Sequence, residues 1–191
     1  MNEERTSDSA IPSELQLMLT QFAMENASIE IYWVGHDARV YYANNFACTA
    51  LGYSKNEFLR LSVPDFDPNY PMERWEDHWQ NLKHNQTQSI ETLHKRKDGV
   101  LIPVAVLANY VRLDGYEFNV AFARDISERK RAEAALQEKE EFFRMISESV
   151  DDFIAVLDLE GRRIYNNASY ANIFGDVEAL KGTDSFNEVH P

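Results

Sequence analysis

The chain contains an internal repeat, and this repeat limits the possible architectures more than any other feature. When the sequence is shifted by 123 residues, identical residues coincide at Glu25 and Glu148, Ile31 and Ile154, Arg39 and Arg162, Tyr42 and Tyr165, Asn44 and Asn167, and Gly52 and Gly175. The register needs no gap and continues until Pro68 coincides with Pro191. Because such a repeat marks copies of one structural unit, we expect a complete domain followed by the first half of a second one. The second copy should not be able to close a core of its own.

The first copy begins with a polar segment and a helix. Residues 1–12 are mostly polar, which is typical of a disordered leader. Within residues 13–26, Leu15, Leu19 and Phe22 recur at helical spacing, so we predict an amphipathic N-terminal helix there.

The rest of the first copy alternates between strands and helices. Two β-rich runs, 29–34 and 40–43, flank a turn-like Gly-His-Asp-Ala, and helical segments follow from Asn44. A proline-rich loop precedes a further helix over Met72–Asn85. Asp-Gly turns then separate three predicted strands at 87–94, 100–110 and 116–124. This order predicts an α+β fold with a five-stranded antiparallel sheet and helices on one face.

After Asp125 the sequence changes character and predicts a linker helix over 127–148. Residues that could form the contact line between two helices recur there at spacings of three and four. This heptad pattern extends over about three heptads. The pattern favours a weak coiled coil, and a solvated connecting helix without a partner is the alternative. In a homodimer the expected seam consists of Leu15, Leu19 and Phe22 from the N-terminal helix and Leu136, Phe143 and Ile146 from the linker.

Charge and composition exclude several classes of function. The 32 acidic and 19 basic side chains give a net charge of −13, which repels nucleic acid and anionic lipid. The single cysteine, Cys48, excludes an internal disulfide. No apolar run approaches the roughly 20 residues that cross a bilayer, so we expect a cytoplasmic protein without a membrane segment. The dispersed histidines form no metal-binding pattern, and no nucleophile or phosphate-loop motif indicates an enzyme.

Three segments, in this order, resemble motifs of the PAS domain family. Residues 29–52 are similar to its opening strands and Asn-bearing helix, and residues 94–103 to its Lys-Arg-Lys-Asp-Gly hairpin. Residues 123–130 look like its Asp-Ile-Thr exit motif, with Ser127 in place of threonine. The resemblance implies the PAS fold, with one PAS domain over 27–126.

The resemblance also implies a role in signal transduction. It suggests a truncated second PAS domain over 149–191 and, in cis, an output domain such as a histidine kinase or a diguanylate cyclase. The exit motif joins the last strand to the linker, and the Asp125 side chain can accept hydrogen bonds from the first helical amides. Asp125, Ile126 and Ser127 are therefore the expected signal relay.

PAS domains often enclose a small molecule between the sheet and the helices. The residues expected at such a cavity are Tyr32, Tyr42, Phe46, Trp75, His78, Trp79, Asn109 and Asn119. Ordinary core packing is the alternative for the aromatic rings. His78 lies where the family's axial haem ligand would be sought, and Asn109 and Asn119 could bind a flavin edge. The sequence itself does not identify a cofactor.

Three hypotheses about function follow from the sequence. The leading one is a sensory and dimerisation module that detects a small molecule and relays the change through the linker helix. A ligand-free protein interaction module is the rival, and a haem- or flavin-based redox or gas sensor is the third. None of them makes this chain an enzyme.

Overall fold

The computed structural model describes residues 11–171, 175–176 and 179–184. Most of the predicted leader, residues 1–10, and the last residues of the second repeat, 185–191, lie outside the described residues. The chain divides into two compact units, of which the first ends at Lys130 and the second begins at Arg131.

The described part of the first unit alternates between helices and strands much as the sequence predicts. Its helices are α1 (Ser13–Glu25), α2 (Asn45–Leu51), α3 (Lys55–Phe58), α4 (Val63–Phe66) and α5 (Met72–Asn85). Its strands are β1 (Glu30–Val34), β2 (Val40–Ala43), β3 (Thr87–Lys95), β4 (Leu101–Leu113) and β5 (Tyr116–Asp125).

The five strands form one sheet in the order β2-β1-β5-β4-β3, with every neighbouring pair antiparallel. Side chains alternate between the two faces of a strand, and one face of this sheet is buried. On that face Tyr32 of β1 lies opposite Ala121 of β5. Helices α2 to α5 cover the buried face with large side chains that include Phe58, Phe66 and Trp79. The predicted α+β fold, with its antiparallel sheet and helices on one face, is confirmed.

The hairpin between β4 and β5 is longer than the sequence predicts. Pairing continues to Leu113 opposite Tyr116, three residues beyond the expected end of β4. The two turn residues, Asp114 and Gly115, both have positive φ, at 49° and 84°. A two-residue turn of this kind matches the twist of the strands, so the ladder can run to the turn itself.

Helix α1 begins at Ser13 directly after Pro12, and none of its side chains is buried. The apolar residues that define its amphipathic face, Leu15, Leu19 and Phe22, are 46%, 50% and 67% exposed. The helix is therefore attached to the first unit through its C-terminal end rather than through its apolar face.

The buried amide of Asn44 makes that attachment. Its Oδ1 accepts hydrogen bonds from the backbone N–H groups of Ile31, at 3.1 Å, and Ala47, at 2.9 Å. Its Nδ2 donates to the carbonyl oxygens of Met24, at 3.0 Å, and Ile29, at 2.9 Å. One side chain thus caps α2 and joins it to β1 and to the end of α1.

Three of these four contacts recur in the second unit. The Oδ1 of Asn167 accepts from the backbone N–H of Ile154 at 3.0 Å, and its Nδ2 donates to the carbonyl oxygens of Ser147 and Asp152. Each of these residues lies 123 positions after its counterpart in the first unit. The repeat in the sequence therefore reflects a repeated local structure. The described part of the second unit comprises the rest of helix α6 (Ser127–Ser149), β6 (Ala155–Leu157), β7 (Arg163–Asn166) and a short 3-10 helix (Ala168–Tyr170). None of its described apolar side chains is buried.

We predict that Asn44→Ala lowers the free energy of unfolding of the first unit by about 3 kcal/mol. Four backbone groups lose their buried partner and α2 loses its cap. Urea unfolding followed by circular dichroism measures the change. Asn45→Ala is the matched control because the Asn45 side chain is exposed, and it should change stability by less than about 0.5 kcal/mol. Equal losses in the two variants would contradict this role of Asn44.

Candidate functional site

A small cavity lies between the buried face of the sheet and the helices that cover it. Its volume is about 20 Å³, which is sufficient for about one occupant of the size of water. Several of its walls are apolar, and the polar and aromatic residues that line it are Tyr32, Asp67, Tyr70, Trp75, His78 and Asn119.

The structure brings together four of the eight residues that the sequence placed at a ligand cavity. They are Tyr32, Trp75, His78 and Asn119. Trp79 is also buried, but it packs edge-on against the ring of Tyr110, with 6.1 Å between ring centroids, and does not line the cavity. Core packing is the role that the structure gives to Trp79.

Tyr42 and Phe46 do not reach the cavity, which corrects the expectation that they line it. Tyr42 is paired with Trp33 across the two strands, and their rings lie 4.7 Å apart on the outer face of the sheet. The Tyr42 hydroxyl donates to Glu25 at 3.1 Å. Phe46 lies near the start of α2 and is 42% exposed. Both residues belong to the region around the end of α1.

Asn109 and Asn119 lie on opposite faces of the sheet, which corrects the expectation that they bind one ring edge together. Asn119 is paired with Tyr110, and successive residues along a strand face opposite sides. Asn109 lies on the outer face, where it accepts from the Thr87 hydroxyl at 3.1 Å. The Oδ1 of Asn119 is buried and has no hydrogen-bond partner.

The residues of this interior do not fit haem or flavin. Ligand pockets usually enclose at least a few hundred Å³, whereas this cavity has about 20 Å³. His78 packs against Tyr70 and Trp75, with 5.0 and 5.1 Å between ring centroids. Burial lowers the pKa of His78, so its imidazole is neutral at pH 7. His78 is thus part of a packed aromatic wall.

Buried hydrogen bonds on the inner face of the sheet connect the cavity residue Tyr32 to His94 and then to Glu30. The Tyr32 hydroxyl lies 3.3 Å from Nε2 of His94, and Nδ1 of His94 lies 3.0 Å from Oε2 of Glu30. Glu30 and His94 are each only 1% exposed. In the tautomer of His94 that carries its proton on Nδ1, this nitrogen donates to Glu30 and Nε2 accepts from the Tyr32 hydroxyl. This arrangement couples a cavity wall to residues on β1 and β3.

Asp67 is a buried carboxyl in the wall of the cavity. Its Oδ1 accepts from the Thr92 hydroxyl at 2.9 Å and from the backbone N–H of Asn69 at 3.0 Å. Burial raises the pKa of Asp67, and the hydrogen bond from Thr92 opposes part of that rise. An ionised Asp67 therefore destabilises the fold, and this unfavourable contribution grows as pH rises through the raised pKa.

The exit from the sheet to helix α6 is held by short-range contacts. The carboxylate of Asp125 accepts from the backbone N–H of Ser127, the first residue of α6, at 2.7 Å. The intervening Ile126 is buried, and its N–H donates to the carbonyl of Pro103 on β4 at 3.0 Å. The three residues of the expected relay thus form the junction between β5 and α6.

A second contact holds the first turn of α6 against strand β3. The carboxylate of Glu91 forms ion pairs with Lys130, at 2.8 Å, and with Arg129. Hydrogen bonds from Lys130 and then Arg129 lower the pKa of Glu91. Glu91 is adjacent in sequence to Thr92, which contacts Asp67 in the cavity wall.

Sequence reasoning missed Glu30, Asp67, His94 and Glu91. A signal for two of them was present. Glu30 and His94 lie two positions from buried residues of their strands, so their side chains point to the same buried face of the sheet. A polar residue at an inward strand position indicates a buried partner. Glu30 and His94 are 64 residues apart in sequence, so the partner itself emerges only from the pairing of the strands.

Within the part of the chain that the structure describes, no group of three or more His, Cys, Asp or Glu side chains could hold a metal ion. No helix in the same residues is long and apolar enough to cross a membrane.

Comparison with known proteins gives a consistent family. A family model described as PAS domain matches residues 28–128. The chain is 26% identical over 179 residues to a nitrogen fixation regulatory protein of Klebsiella oxytoca, which covers 88% of this chain and 36% of that protein. It is 28% identical over 134 residues to sporulation kinase E of Bacillus subtilis, covering 69% of this chain and 18% of the kinase. The solved PAS domain of an HTR-like protein from Haloarcula marismortui has a TM-score of 0.56 and 26% identity, over 59% of this chain and 93% of that one.

We predict strong coupling between Glu30 and His94 in a double-mutant cycle. His94→Leu alone should lower the free energy of unfolding by about 3–5 kcal/mol, because Glu30 is left buried without its partner. Glu30→Leu combined with His94→Leu should lower it by clearly less than the sum of the two single changes. Urea unfolding at pH 7 of the four proteins in the cycle gives the coupling energy. Additive losses would show that the two side chains do not act as a pair.

Proposed function

Because the chain belongs to the PAS domain family, we propose that its first unit is a sensory module that receives a small molecule in the interior cavity. The family consists of sensory modules rather than catalysts. The observation that carries the proposal is the convergence of polar side chains, among them Tyr32, Asp67 and Asn119, on an interior cavity with several apolar walls. Buried polar groups are normally paired, so the unpartnered Oδ1 of Asn119 supports an occupant that donates to it.

Strand β5 provides a direct route from this cavity to helix α6. Asn119 and Ala121 line the cavity from β5, and the same strand ends at Asp125. A small shift of β5 would move the Asp125 cap and the buried Ile126, and with them the first turn of α6. The relay proposed here is therefore a change in the tilt or stability of α6. The ion pairs of Glu91 with α6 offer a second route, through β3.

The output lies outside this chain in the proposed scheme. The chain spans about a third of the length of the first relative above, at 36%, and another relative is named a kinase. We therefore place a histidine kinase or diguanylate cyclase in cis after this chain, in a cytoplasmic protein. Residues 149–191 would be the first half of a second PAS domain, which the repeated contacts of Asn167 support.

Helices α1 and α6 would provide the seam of a homodimer. Their apolar side chains are exposed within the described chain, at 50% for Leu19, 67% for Phe22 and 60% for Leu136. Phe143 and Ile146 are exposed to a similar degree. Exposed apolar stripes on helices are typical of interaction surfaces. A monomer at all concentrations in sedimentation equilibrium would contradict this seam.

The outer face of the sheet supports a second candidate function, a ligand-free interaction module. Tyr41 and Tyr116 are 56% and 69% exposed on this side, and both contact Phe118. Exposed aromatic clusters of this kind are enriched at protein interfaces. Retention of a small molecule by the purified chain would favour the sensory function, and binding of a partner protein without any cavity occupant would favour the second.

We predict that Asp125→Ala loosens the junction while leaving the cavity unchanged. Loss of a helix cap costs about 1 kcal/mol, so amide exchange in residues 127–131 should become about fivefold faster. Hydrogen exchange followed by mass spectrometry measures this directly. Asp77→Ala, an equal change of charge at an exposed position of α5, is the control and should leave this region unaffected. Unchanged protection of residues 127–131 in Asp125→Ala would contradict the proposed relay.

A further inference from the structure

The chemistry of the cavity indicates which class of small molecule it can bind. This inference rests on the sensory function proposed above. We propose that the cavity binds a small protonated amine, ammonium or methylammonium, through the Asp67 carboxylate and the Oδ1 of Asn119. The inference depends on the size of the cavity, its hydrogen-bonding groups, its charge and its aromatic walls.

The size of the cavity selects small occupants. A volume of about 20 Å³ holds one molecule of roughly the size of water, and ammonium is of that size. Methylammonium requires a small displacement of one wall. Amino acids, nucleotides and organic cofactors are excluded from the cavity as it is packed.

The buried polar atom of the cavity lining that has no hydrogen-bond partner is an acceptor. The Oδ1 of Asn119 is buried and has no partner. Asp67 uses Oδ1 for its hydrogen bonds from Thr92 and Asn69, and an ionised carboxylate cannot donate. An occupant rich in N–H donors matches this set, whereas an inorganic anion would face a carboxylate and an amide oxygen.

The charge of the surroundings favours a cation. The residues that line the cavity include Asp67 and no lysine or arginine, and burial keeps His78 neutral by lowering its pKa. Beyond the walls, Glu30 and His94 are hydrogen-bonded to each other, and Arg74 lies over the Tyr70 ring at 4.9 Å. An ammonium ion beside Asp67 would therefore supply a counter-charge to a carboxylate whose burial is unfavourable.

Aromatic rings complete the match to a cation. Tyr32, Tyr70 and Trp75 all line the cavity, and the faces of such rings attract ammonium groups when water is excluded. Asp67 is also joined through Thr92 to the strand that bears Glu91, so occupation of the cavity would act on a residue that holds α6.

Titration of the whole chain with ammonium chloride and with methylammonium chloride tests the inference, with potassium chloride at equal ionic strength as the reference. The expected result is a saturable rise of about 3 °C in the thermal midpoint with the amines and no saturable rise with potassium.

Asp67→Asn, which keeps the acceptor for Thr92, should weaken amine binding at least about tenfold. Asp77→Asn removes an exposed charge and should bind as the wild type does. Affinity should increase as pH rises through the raised pKa of Asp67.

Asn119→Leu removes the amide oxygen without a change of charge and should also weaken binding, which keeps the test valid if Asp67→Asn fails to fold. Equal responses to potassium and ammonium, or undiminished binding by both variants, would overturn the inference. So would the absence of any saturable response to the amines. If a neutral molecule binds instead and requires Asn119, the amine class fails while the sensory function stands. Failure of the relay on which the sensory function depends is recognised separately, by unchanged exchange of residues 127–131 in Asp125→Ala.

Discussion

The four hydrogen bonds of the buried Asn44 amide determine how the first unit begins. They align β1 with the start of α2 and attach the end of α1 to both. The side chain is fully buried, so water cannot replace these bonds if it is removed. Asn167 makes three of these four bonds 123 residues later. The end of α6 is therefore attached to the second unit as the end of α1 is attached to the first.

The sequence predicts the elements of the fold well because their signals are local. Asp-Gly pairs specify the hairpins, and the repeat indicates which residues are equivalent in the two units. The candidate site was harder to predict because it depends on the face that each strand residue occupies. Asn109 and Asn119 are both polar strand residues, yet the pairing of Tyr110 with Asn119 places them on opposite faces. The partners Glu30 and His94 are separated by 64 residues, beyond the reach of any local pattern.

Strand β3 connects three features that a linear reading of the sequence separates. His94 belongs to the buried chain with Tyr32 and Glu30, Thr92 contacts Asp67 in the cavity wall, and Glu91 holds the first turn of α6. His94 and Thr92 face the interior, whereas Glu91 lies on the opposite side of the same strand, as alternation requires. In the proposed relay, a displacement of β3 would act on the cavity wall and on the exit helix together. The exit motif at Asp125 and the ion pairs of Glu91 both attach the first turn of α6 to the sheet.

The central claim is that the state of the interior cavity is transmitted to helix α6. Hydrogen exchange of the wild-type chain, measured with the cavity empty and then saturated with a bound small molecule, tests this claim most directly. The account predicts altered protection in three places together: the cavity walls, the last residues of β5 and the first turn of α6. It predicts no change at β2, the strand at the edge of the sheet. Altered protection confined to the cavity walls, with residues 127–131 unchanged at saturation, would contradict it.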